Sequence, residues 1–83
     1  MERQLIGRVT HYYSKIGVAI IQLEALLKTG ERIAVVGATT DLEQDVKSMQ
    51  VEHENISEAK VGDLVGLKVK DKVREGDTVY KLL

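Results

Sequence analysis

The sequence predicts a single all-β domain of 83 residues, folded as a small closed or nearly closed six-stranded β-barrel. Three observations carry this. Apolar residues alternate, or form short β-branched runs, with little of the spacing that an amphipathic helix requires. The same Gly-acid punctuation precedes three of the runs: Thr29-Gly30-Glu31, Val61-Gly62-Asp63 and Glu75-Gly76-Asp77. A chain this short also gains from closure, which removes the unpaired edges of a small open sheet.

Taken in order, the first strand covers about Leu5 to Tyr13, and Tyr13-Ser14-Lys15-Ile16 reads as a turn. The second, Gly17 to Leu23, is almost wholly apolar, the pattern of a strand covered on both faces. Glu24 to Leu27 is either one helical turn or a wide loop, and the third strand runs from Arg32 to Val36. The fourth is long, about Asp41 to His53. Val46 falls in one phase and Met49 and Val51 in the other, so a bulge is expected near Lys47 or Ser48. In the fifth, Val65, Leu67 and Val69 point one way and Lys68 and Lys70 the other; the sixth runs from Asp77 to Leu83. In the three turns, glycine reaches positive φ without a Cβ clash, and the acid after it can accept hydrogen bonds from nearby amides.

Composition narrows the function. There is no cysteine, so disulfides and thiolate metal sites are excluded, in keeping with a cytoplasmic setting. No apolar run is long enough to span a membrane, and the first residues lack the apolar core of a signal peptide. The net charge is −1 but unevenly spread: residues 41–58 hold six acids against Lys47, and residues 60–74 hold five bases against Asp63 and Asp71. Any nucleic-acid contact is therefore local rather than global.

No catalytic arrangement is expected. His11 and His53 lack metal-ligand spacing, and Ser14, Ser48 and Ser57 lack the strand-turn-helix setting of a nucleophile elbow. No cofactor or metal is expected either. Asp41, Glu43 and Asp45 alternate as a solvated acidic face that protects an exposed strand from pairing with another chain, rather than as a cation loop. Two groups remain as candidate binding surface. His11, Tyr12, Tyr13 and Lys15 put aromatics beside a base, as base stacking on RNA requires; the plainer reading packs one tyrosine inside and leaves the others flanking a turn. Lys68, Lys70, Lys72 and Arg74 form a basic stripe suited to phosphates or an acidic partner, or simply a solvated outer face.

Several stretches also carry a resemblance. Ala59-Lys60-Val61-Gly62-Asp63-Leu64-Val65-Gly66-Leu67, followed by Val73-Arg74-Glu75-Gly76-Asp77-Thr78-Val79, resembles the second β-barrel domain of translational GTPases such as elongation factor Tu, as does Leu27-Lys28-Thr29-Gly30-Glu31-Arg32-Ile33. Ile6-Gly7-Arg8-Val9-Thr10-His11-Tyr12-Tyr13, Ser48-Met49-Gln50-Val51-Glu52-His53 and Lys70 to Asp77 extend the likeness to the C-terminal barrel of collagenase-like peptidases and to stand-alone translation elongation factor-like proteins. The phosphate-binding loop of the GTPases is missing, as are the cysteines of the collagenase-like catalytic domain. The resemblance implies a non-catalytic binding module that contacts RNA or a ribonucleoprotein. The alternative is a protein-interaction module docking onto a separately encoded enzyme such as a collagenase-like peptidase. The sequence leaves the oligomeric state open.

Overall fold

A computed structural model describes residues 2–83. Among them there is no helix, and ten strands form: β1 (Arg3–Tyr13), β2 (Val18–Leu23), β3 (Leu27–Lys28), β4 (Arg32–Val36), β5 (Asp41–Asp45), β6 (Met49–Val51), β7 (Glu54–Ile56), β8 (Glu58–Ala59), β9 (Leu64–Lys68) and β10 (Thr78–Leu82). Eight make one antiparallel sheet in the order β5-β4-β10-β1-β2-β9-β6-β7, and β3 pairs with β8. The segment at Glu24 is loop rather than helix, leading into β3.

The expected long fourth strand is two strands. β5 pairs with β4, whereas β6 pairs with β9 and β7, and only residues 46–48 lie between them. In a flat sheet β5 and β6 would stand about 29 Å apart, six spacings of ~4.8 Å. The short connection spans at most about 14 Å. The sheet must therefore curl until its two ends meet. Its inward residues then share one core built from Ile6, Val9, Ile21, Leu23, Leu27, Ile33, Val35, Met49, Val65, Leu67 and Val79, all buried.

The curl does not become a closed barrel, which corrects the expectation of closure. No backbone ladder joins β5 to β9 or β6. The side chain of Gln44 crosses the seam instead: its Nε2 donates to the Lys68 carbonyl at 2.8 Å, and its Oε1 accepts the Lys70 N–H at 2.8 Å. One carboxamide thus satisfies the two backbone groups that a neighbouring strand would have paired.

The Gly-acid turns form one device used three times. Gly30, Gly62 and Gly76 have φ of 91°, 92° and 90°. The following acid reaches back to the amide that opens the turn: Lys28 N–H to Glu31 at 2.7 Å, Lys60 N–H to Asp63 at 2.9 Å, and Arg74 N–H to Asp77 at 2.8 Å. Each turn also clasps one buried residue. The glycine N–H donates to the carbonyl of Val46, Leu23 or Val9, and that residue's own N–H donates to the carbonyl of Glu31, Asp63 or Asp77. The turns therefore bond to the core-lining chain at three places, as well as reversing direction.

Candidate binding surface

β1 and β2 are joined by residues 14–17, where Tyr13 O accepts the amides of Ile16 and Gly17. This tight reversal fixes which side chains meet on the outer face. Tyr13 pairs with Val18, and Val18 with Lys68 on β9, so the three form a row across three strands. Tyr13 and Lys68 are thus about 10 Å apart, on either side of Val18. The next row is His11, Ile20 and Gly66. A Cβ on Gly66 would sit 3.7 Å from both Val18 and Ile20, whose side chains lean over the bare glycine and remain half-exposed.

The aromatic group splits as the plainer reading had it. Tyr12 is half-buried against the core, while Tyr13 is 49% exposed. A register shift between Val9 and His11 turns His11 outward beside Tyr13, their rings edge to face with centroids 4.4 Å apart. His11 Nδ1 also lies 3.0 Å from Glu75 Oε2, so its polar edge is engaged within the chain. Lys15 is exposed in the turn.

The basic group is dispersed. β9 ends at Lys68, and Lys70 lies just beyond it with its amide on Gln44. Lys72 and Arg74 lie in the loop leading to β10, around the buried Val73, and the Arg74 amide opens the third Gly-acid turn. A single strand-borne stripe from Lys68 to Arg74 is therefore not formed, because the chain leaves the sheet after Lys68. The acidic residues do take the expected position. Asp41, Glu43 and Asp45 are exposed on the edge strand β5, and Arg32 reaches Asp45 at 3.0 Å and Glu43 at 3.8 Å.

Two features of this surface escaped the reading of the residues. Ile16 is 62% exposed beside Tyr13, and the outer face of β2 is open rather than covered. The unbroken apolar run from Ile16 to Ile21 was the signal; it marked a second apolar face without showing whether the chain itself would cover it.

No family model matches the chain. It is 49% identical over 78 residues to an uncharacterized protease of Methanocaldococcus jannaschii, covering 93% of this chain and 19% of that protein. It is 30% identical over 82 residues to a collagenase of Porphyromonas gingivalis, covering 96% of this chain and 23% of that one. The crystal structure of the C-terminal domain of a Geobacillus thermoleovorans protein described as a U32 peptidase superposes with a TM-score of 0.90 at 19% identity, covering 96% of this chain and 93% of the domain. The chain has the fold of that C-terminal domain. It spans about a fifth of the length of the curated relatives it matches. The collagenase-like side of the resemblance is thereby supported. The translation-factor side gains no such support.

Proposed function

We propose that the chain is a non-catalytic module that works with a collagenase-like peptidase, docking through the outer face of β1, β2 and β9. The observation that carries this is the 49% identity across nearly the whole chain to a fifth of a protein named a protease. In that relative, a segment of this sequence is attached to a much larger remainder. The half-exposed Val18 and Ile20, with Tyr13 and Ile16, supply the apolar centre that a protein contact needs, and Lys15 and Lys68 supply a charged rim. An RNA site fits less well. Tyr12 is turned to the core, His11 is held by Glu75, and the bases are scattered between strand and loop.

A tagged chain expressed in its own cells, crosslinked, treated with nuclease and analysed by mass spectrometry tests this reading. A peptidase of the relatives' kind should be recovered with the native sequence and lost with Ile16→Glu. Recovery that disappears with nuclease would overturn the reading in favour of RNA.

A further inference from the structure

The seam that Gln44 braces opens outward into a groove of about 540 Å³ between the edge of β5 and the end of β9. Its walls differ in charge. On the β5 side, Glu43 and Asp45 share the guanidinium of Arg32. At the 46–48 connection and on the β9 side, Lys47, Lys68 and Lys70 are exposed, and among the described residues no ion pair engages any of them. Three unpaired lysines thus face two acids, and the acids are already partnered by Arg32.

The backbone of β5 adds direction to this charge. Val46 exchanges hydrogen bonds with the β4 side, donating to Glu31 O and accepting from Gly30 N, and Thr40 O accepts the Gly37 amide. Antiparallel pairing alternates, so Leu42 and Gln44 also turn their peptide groups toward β4. The N–H and C=O of Glu43 and Asp45 then face the groove, where no strand pairs with them.

We propose that this groove binds an acidic peptide segment in extended form. The free peptide groups of Glu43 and Asp45 meet its backbone as an added strand would. Its carboxylates meet Lys47, Lys68 and Lys70. Val69, buried beneath, gives the groove an apolar floor. A nucleic-acid strand is the poorer fit, since its bases would find no aromatic ring among the groove's residues. The inference does not depend on the docking proposal, because Lys47 and Lys70 lie outside the Tyr13–Val18–Lys68 row.

The isotope-labelled chain, titrated at low salt with a blocked peptide alternating Glu and Val, provides the test. The amides of Glu43, Asp45, Ser48 and Val69 should shift. Lys47→Gln with Lys70→Gln should weaken binding on the order of tenfold while leaving the spectrum folded. Physiological salt should weaken it as well. The inference is overturned if no amide moves, if a Gln-Val peptide binds as tightly, or if the double variant binds unchanged. It is also overturned if an oligouridylate shifts the same amides at lower concentration than the acidic peptide. Ile16→Glu should leave this binding intact, so failure here and failure of the peptidase reading remain separate results.

Discussion

Lys70 donates its backbone N–H to Oε1 of Gln44 at 2.8 Å, across a seam that no strand ladder closes. The same carboxamide donates to Lys68 O, so one side chain holds together the two regions of sheet that the curl brings face to face. Two substitutions test how much this brace contributes. Gln44→Ala removes both bonds and should cost about 1–3 kcal/mol. Gln44→Asn keeps the chemistry but is one methylene too short to reach both groups, so it should cost nearly as much. Urea unfolding measures both. If Asn behaves like the native residue, the reach of the side chain is not what matters.

The Gly-acid turns make a second prediction that separates backbone strain from steric collision. A Cβ on Gly62 meets nothing within 4 Å, yet φ is 92°. Gly62→Ala should therefore cost about 1–2 kcal/mol from the positive φ alone. D-alanine at the same position, introduced by chemical synthesis, should restore or slightly raise the stability. Gly7 is the opposite case, since a Cβ there would collide with the backbone carbonyl of Gln22 on β2. Gly7→Ala should add ~1–3 kcal/mol of overpacking. A D-alanine variant at Gly62 as unstable as the L-alanine one would show that the turns are not held by φ.

These turns were readable from the residues because they are local: a glycine, the acid after it and an amide three positions back settle the geometry together. β4 was readable for the same reason, as was the inward set Val65, Leu67 and Val69. The seam was not. Whether a curled sheet closes depends on pairing between β5 and β9, far apart in sequence, and no local pattern specifies it. A trace of the answer does lie in the phase of β5. Leu42 and Val46 point inward, so Gln44 between them is a polar side chain on an apolar face. A polar residue so placed needs partners, and here they are backbone groups at the end of β9. Lys47 and Arg32 joined the groove for the same long-range reason, while Lys72 and Arg74 dropped out because alternation continued in the sequence after the strand had ended.

The three turn acids differ in burial, which ranks their substitutions. Asp77 is 6% exposed, and its carboxylate fills the space beside Gly37, where a Cβ would overlap it. Asp63 and Glu31 are only half-buried. All three accept the same kind of amide bond. Asp77→Ala should therefore cost the most, about 1–3 kcal/mol, because the Arg74 amide and the space beside Gly37 are both left empty. Asp63→Ala should fall nearer 1 kcal/mol, since water can reach the Lys60 amide. Thermal unfolding of the two variants side by side decides the order, and a larger loss at Asp63 would contradict it.

The β6–β7 hairpin offers the opposite opportunity, a gain in stability. Its two-residue turn is Glu52-His53, with φ of 51° and 66°. Two consecutive positive φ values are what a type I′ turn demands, and Asn-Gly is the pair that supplies them most cheaply. Glutamate and histidine each pay a left-handed penalty of roughly 1–2 kcal/mol. Both are exposed, so their removal forfeits little packing. Glu52→Asn with His53→Gly should therefore stabilise the chain, offset in part by the greater freedom of glycine when unfolded. A net gain of about 1 kcal/mol would raise the melting temperature by roughly 4–8 °C. Because β7 is the last strand of the sheet, the hairpin can also open by itself. Amide exchange at Glu54 and Ile56, whose N–H groups face β6, should then slow even if the melting temperature moves little. Faster exchange there, or a lower melting temperature, would mean that Glu52 or His53 has a stabilising role that outweighs the strain of the turn.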